Sequence, residues 1–204
     1  FVDKFLGLFA IAPAFYNLYL FWGLVQAGEA DIYRTAIAAG ALIIIVSVAI
    51  RRVATRVSLN PFFWFVTGAR NYWATIVLNY VYVFPINNLL VPTQITHTLF
   101  FVAIAIIIYS RVSLGRNLGF VPARRELVTT GAYSYVRHPI HTGELLFFLS
   151  YLLVGFSVLN WSLLLLGAGF VIWKSLIEES FLKDDADYRE YCKKVPYRWI
   201  PGVI

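Results

Sequence analysis

Charge is scarce in this sequence. Only 14% of its 204 residues are Asp, Glu, Lys or Arg, where a water-soluble domain carries roughly 25%. With an apolar fraction of 60% and a mean hydropathy of +0.71, that scarcity excludes water as the main solvent. Cysteine is nearly absent as well. Cys192 stands alone, which rules out an internal disulfide and any multi-cysteine zinc site. Three histidines without an HExxH pattern offer no common zinc spacing, so no metal is expected. Internal repeats and low-complexity tracts are missing too. The charge that is present leans positive, with a formal net of +6 and an isoelectric point near 9.5. Its cations sit beside apolar runs, where they set topology and meet anionic headgroups, so nucleic acid is not the expected partner.

A hydrocarbon core of about 30 Å needs about 20 apolar residues per helix, and the sequence holds about six such runs. They extend over Phe5 to Gln26, with a kink expected at Pro13, Thr35 to Ile50, Pro61 to Phe84, Thr96 to Tyr109, Gly143 to Ser157 and Trp161 to Ile177. Arg70 and Asn71 interrupt the third. A charge at the bilayer centre costs at least about 2.5 kcal/mol, so Pro61 to Gly68 is expected along the interface, with the crossing starting near Tyr72. The last two runs are separated by so little, Val158 to Asn160, that they form an antiparallel hairpin. The fold class expected is all-α: a polytopic helical membrane bundle with a cytosolic cap. Cations follow the second run (Arg51, Arg52, Arg56), the fourth (Arg111, Arg116, Arg124, Arg125, Arg137) and the sixth (Lys183, Arg189, Lys193, Lys194, Arg198), whereas the opposite connections are acidic or uncharged. The positive-inside rule then puts both termini and these loops on the cytoplasmic side.

Polar groups concentrate before the hairpin, from Ser110 to Glu144, and after it, from Glu178 to Pro201. A hairpin returns its two flanks to one membrane face, so the two stretches can wall one site. In the first, Pro139 suits the opening turn of a helix, and His138 and His141, three apart, line one side of it. In the second, Glu178 and Glu179 are adjacent. Neighbours on a helix point about 100° apart, so at most one of the two faces a given partner. The aromatic and cationic tail from Val195 to Pro201 suits a segment at headgroup level that closes over a pocket.

In their order along the chain, these pieces resemble the isoprenylcysteine carboxyl methyltransferases and the related membrane phospholipid methyltransferases. The matching segments are Ser113-Leu114-Gly115-Arg116-Asn117-Leu118-Gly119, Leu127 to Tyr133, Arg137-His138-Pro139, Glu178-Glu179, Tyr188, Tyr191 and Pro201. The resemblance covers roughly the last ninety-five residues. It implies two parts: residues 1–110 as transmembrane scaffold with possible lipid-substrate contact, and residues 111–204, with hairpin 143–177, as the cofactor-binding region. The cofactor implied is S-adenosylmethionine, and the partners are a lipophilic or lipid-anchored acceptor and membrane lipids. Carried over by position, Leu127, Val128, Tyr133, Arg137, His138, His141, Gly143, Glu178 and Glu179 would bind the cofactor, with Glu178 or Glu179 meeting its amino group. Asn117, Arg198 and His141 would act toward the acceptor. The chain departs from the family at His141, where a tyrosine is usual, and in a shorter stretch between the glutamate pair and Tyr188.

Physical chemistry agrees with that assignment. A sulfonium is a cation that an aromatic face such as Tyr133 can hold, and a carboxylate suits the N-terminal end of the helix opened by Pro139. A carboxylate acceptor needs no base, whereas an amine or thiol acceptor makes His138, His141 or Glu144 a base candidate. Two other classes remain open. Arg137-His138-Pro139 with Gly143-Glu144, and Val195-Pro196-Tyr197-Arg198 near the end, also resemble the membrane sterol reductases, which use NADPH. A non-catalytic lipid binder would bind neither cofactor.

Overall fold

The structure, a computed structural model, describes residues 2–28, 42, 56–63, 65–66, 90–117 and 123–203. Among these the chain is mostly helical. The helices are α1 (Val2–Gln26), α2 (Thr93–Leu114), α3 (Pro139–Leu152), α4 (Val158–Leu182) and α5 (Ala186–Lys194). Short 3-10 turns cover Gly115–Asn117 and Gly131–Ser134. A two-residue antiparallel ladder pairs β1 (Arg56–Val57) with β2 (Ala123–Arg124), in the register Arg56 to Arg124 and Val57 to Ala123. That ladder has no counterpart in the sequence reading, because two residues carry no periodicity to read.

Among the described residues two helices, Thr93–Asn117 and Val158–Leu182, are long and apolar enough to cross a membrane. Their most apolar stretches are only 17% and 39% buried inside the protein, unlike the core helix of a soluble domain. Phe101, Val102, Ile108 and Val112 on α2 are exposed, as are Leu159, Leu165, Leu166 and Leu176 on α4. Hydroxyl groups along both are satisfied internally. Thr98, Ser110 and Ser113 on α2 donate to carbonyls one turn back at 2.6–2.8 Å, and Ser175 and Ser180 on α4 do so at 2.7 and 2.8 Å. Such back-bonding is what a polar group needs where water is absent.

The core of the C-terminal part lies where α3 packs between α2 and α4. Phe100 and Ala103 of α2 meet Phe147, Phe148 and Tyr151 of α3, and Leu164 and Val171 of α4 complete the cluster. Ring centroids lie 5.4 Å apart for Phe100 and Phe147 and 4.9 Å for Phe147 and Tyr151. Gly143 allows this approach. A Cβ there would come within 2.6 Å of Ile107 Cγ1 and 3.0 Å of the Ala103 carbonyl, so the two helices meet backbone to side chain at that point.

The hairpin is real, but its turn is displaced from where hydropathy put it. The helix α3 ends at Leu152, and Val158 to Asn160 form the first turn of α4 rather than the connection. The chain reverses between them, and Trp161 Nε1 staples the reversal by donating to the Leu152 and Gly155 carbonyls at 3.2 Å each. Asn160 read as a loop residue on polarity, yet it is 2% exposed. At its far end α4 continues five residues past Ile177, so Glu178 and Glu179 are helical. The first and fourth expected runs fall within α1 and α2, and α1 continues through Pro13. The second run and the crossing from Tyr72, with Arg70, lie outside the described residues. Helical backbone does occur at residues 61–63 and 65–66, and Phe62 sets its ring edge against Trp173 of α4 at 5.4 Å.

Candidate functional site

The two polar flanks of the hairpin do meet. The tail lies along the Arg-His-Pro block: Arg137 N donates to the Tyr197 carbonyl and His138 N to that of Arg198, both at 2.9 Å, and Thr142 Oγ1 donates to the Trp199 carbonyl at 2.7 Å. Arg137 Nη1 adds bonds to the carbonyls of Val195 and Pro196 at 3.1 and 2.7 Å. Glu179 is the hub of this seam. Its Oε1 accepts from Arg137 Nε at 2.8 Å and lies 3.2 Å from His138 Nε2, while Oε2 accepts from Arg198 Nε at 2.9 Å. Burial works against charge on Arg137, but the hydrogen bond and the charge of Glu179 outweigh it and hold the pKa above its ordinary value.

Sharing Arg137 and His138 with the seam is a cavity of about 420 Å³, within the usual range for small-molecule sites. Its lining includes Asn117, Leu127, Val128, Tyr133, Arg137, His138, His141 and Glu178. The sequence reading named all eight. Turn geometry brings the first and second of the motif segments together: Gly131 has φ +62 and sits against the Ser113 side chain, whose Oγ accepts from Ala132 N at 3.1 Å. A residue with a Cβ at Gly131 would be strained and would strike Ser113, so this glycine aims Tyr133 into the cavity. Tyr191 of α5 holds the other side by donating its hydroxyl to the Tyr133 carbonyl at 2.7 Å. Burial raises the pKa of both tyrosines, keeping their hydroxyls neutral. Asp185 caps α5 through Asp187 N at 3.2 Å and pairs with Arg124 of β2, fastening α5 to the ladder.

Three of the expected cofactor or acceptor residues sit elsewhere. Glu179 does not line the cavity; as adjacent helical positions require, Glu178 points in while Glu179 points to the tail. Arg198 is engaged by Glu179 and lies outside the lining. Gly143 faces α2 rather than the cavity, for the packing reason given above. Conversely, the cavity gains Lys174, Arg111 and Glu144, none of which the motifs assigned to a cofactor. Lys174 had a signal: it is a single cation inside the apolar run Trp161 to Ile177, and intramembrane charges are functional candidates by default. Its side chain pairs with Glu178, one turn on.

The floor of the cavity is therefore a polar cluster. His138 and His141 stack with centroids 5.6 Å apart at 11°. Glu144 Oε2 is 3.3 Å from His141 Nδ1, and Glu178 Oε2 is 3.7 Å from His141 Nε2 and 4.0 Å from His138 Nδ1. Ligand-type atoms of His138, His141 and Glu178 all fall within 4.8 Å of one another, a three-residue grouping that the linear spacing did not reveal because Glu178 comes from another helix. A second hollow of about 360 Å³ adjoins the cavity, sharing Leu114, Asn117, Glu126, Leu127 and Val128 with it and lined further by Arg116, Thr129 and Thr130.

No curated protein matches the chain. Residues 113–185 do match the family model described as PEMT, phospholipid methyltransferase. The matched stretch begins at Ser113, ends on the Asp185 cap of α5, and contains the loop, Arg137, His138 and Glu178 that line the cavity. Residues 113–185 are thus a domain of the phospholipid methyltransferase family, within the group of isoprenylcysteine carboxyl and phospholipid methyltransferases that the ordered motifs resemble.

Proposed function

We propose that this protein is a multi-pass integral membrane methyltransferase that uses S-adenosylmethionine and acts on a lipophilic acceptor at the cytosolic membrane face. The observation that carries the reading is that a phospholipid methyltransferase domain folds Leu127, Val128, Tyr133, His138, His141 and Glu178 around one cavity. In this reading about six spans cross the membrane with both termini cytoplasmic, residues 1–110 serve as scaffold and residues 111–204 hold the cofactor.

The residues present fit the cofactor's chemistry. Glu178 Oε1 takes Lys174, but Oε2 makes no hydrogen bond among the described residues, with both histidines at 3.7 Å or more. That oxygen is left for an ammonium donor. Tyr133 offers a neutral aromatic face for a sulfonium, and Leu127 and Val128 offer backbone groups on a segment outside helix and strand. When bound, the cofactor supplies an electrophilic methyl group on a positively charged sulfur. The protein's task is then to hold an acceptor in line with that methyl in a water-poor space, and positioning alone can supply much of the acceleration. Asn117, shared by both hollows, has a buried Oδ1 with no hydrogen-bond partner among the described residues. It is our candidate for orienting the acceptor. His141, with Glu144 beside Nδ1, is the candidate base for an amine or thiol acceptor; a carboxylate acceptor needs none. Arg198 acts through Glu179 as a clamp on the tail.

The test is ligand stabilisation of detergent-purified protein. S-adenosylmethionine or S-adenosylhomocysteine should raise the melting temperature and NADPH should not. A shift with NADPH alone would replace this reading with the reductase one, and no shift with any of them would end both. Transfer from a labelled methyl donor into extracted membranes then identifies the acceptor.

A further inference from the structure

Lys174 is a polar group of the cavity that the reading above leaves without a task. It is 5% exposed, lies within a helix apolar enough to cross a membrane, and still lines the cavity. An ammonium carries three donors, yet among the described residues Lys174 Nζ has a single hydrogen-bond acceptor, Glu178 Oε1. A cation held this deep with donors to spare is costly unless another acceptor completes it.

Its position says what that acceptor is. Glu178 and Lys174 are one helical turn apart, pair with each other, and both face the same space. An amino-acid zwitterion carries its ammonium and carboxylate on one carbon, so a ligand whose ammonium meets Glu178 Oε2 delivers its carboxylate next to Glu178 as well. The other cationic candidates adjoining Glu178 are His138 and His141. His138 is already engaged by Glu179, and His141 faces Glu144. Of the three, Lys174 offers an ammonium whose single hydrogen-bond acceptor among the described residues is Glu178 itself. The carboxylate–ammonium pair of α4 is therefore the mirror of the ammonium–carboxylate pair of an amino acid.

Resting on the methyltransferase reading, we propose that Lys174 binds the carboxylate of the cofactor's amino-acid end, so that the Lys174–Glu178 pair selects a zwitterion. The sequence reading gave that carboxylate to the N-terminal end of α3. Pro139 removes one amide donor there, which leaves room for a side-chain anchor.

Calorimetry on the full-length protein in detergent tests this with two ligands: S-adenosylhomocysteine, and S-adenosyl-3-thiopropylamine, which keeps the ammonium and lacks the carboxylate. The wild-type protein should prefer the first by about tenfold or more, the scale of one charge-assisted hydrogen bond. The K174M variant should lose that preference and bind both ligands about as weakly as wild type binds the amine, giving a clear coupling in the double cycle. K174R should keep most of the preference. Wild-type protein binding both ligands equally, or K174M retaining the full preference, overturns the proposal. If K174M shows no melting transition, K174Q carries the same comparison, and an undiminished preference there overturns it too. Wild-type protein that binds neither ligand sinks the methyltransferase reading itself, a result distinct from equal binding of both.

Discussion

The outer and inner ends of α4 are built on opposite rules within one continuous helix. From Leu159 to Leu166 it shows large apolar side chains outward, with Leu159, Leu165 and Leu166 about half exposed, and its few buried contacts serve the core with α3. From Lys174 to Glu179 it turns charge inward, and every charge is met: Lys174 by Glu178, and Glu179 by Arg137, His138 and Arg198. One end is solvated by its surroundings and the other by its own chain. The difference teaches that an apolar helix can end in a charged site only when neighbouring segments supply the partners, here the Arg-His-Pro block and the tail.

The comparison can be broken at the inner end first. Glu179→Ala leaves the guanidinium of Arg137, only 8% exposed in its side chain, without its carboxylate. Uncompensated buried charge costs about 3–5 kcal/mol, and with Arg198 also released the melting temperature should fall sharply and the tail beyond Val195 become protease-sensitive. A tail that stays protected would show that its backbone bonds to Arg137 and His138 suffice. Glu178→Ala strips the buried Lys174 ammonium of its carboxylate and should also cost stability, but in addition it should lower S-adenosylhomocysteine affinity about a hundredfold, on the scale of a charge-assisted contact. Equal ligand affinity in this variant and the wild type would remove Glu178 from the site.

Smaller effects sharpen the boundary between packing and binding. Gly143→Ala forces a methyl group against Ile107 and the Ala103 carbonyl and should cost about 1–3 kcal/mol of stability; once folded, the variant should bind S-adenosylhomocysteine as wild type does. Weaker binding at unchanged stability would return Gly143 to the cofactor site. Tyr133→Phe keeps the aromatic face and should change S-adenosylmethionine affinity less than twofold, whereas Tyr133→Leu should lose about five- to tenfold, as loss of a cation–π contact predicts. Similar losses in both would assign the role to the hydroxyl. At the outer end, Leu165→Val should alter neither ligand affinity nor stability beyond about 0.5 kcal/mol, as thermal melts with and without ligand would register.

Legibility from sequence followed the same division. Segments whose function depends on neighbours in the chain are readable: the apolar length of α2 and α4, and the proline opening of α3. Segments whose function depends on who sits opposite are not. Arg198 looked like an acceptor contact because a cation in a tail carries no mark of its partner, and only the docking of that tail shows Glu179 taking it. Gly143 has a cofactor role by resemblance alone, and nothing in its sequence position shows that it packs against α2. Lys174 was passed over because one charge barely lowers the hydropathy of the run that contains it.

From composition and order of residues alone follow an apolar helical chain, a hairpin near its C-terminal end, and a methyltransferase-like order of motifs around it. These are local properties, set by side-chain solvation and backbone propensity. Tertiary structure decided which of two adjacent glutamates faces the cavity, that Lys174 shares that cavity, and that the tail docks on the Arg-His-Pro block. Those outcomes depend on helical phase and on pairings between groups as far apart as His138 and Arg198. A period of 3.6 residues turns neighbours in sequence toward different partners, and only the folded chain says who those partners are.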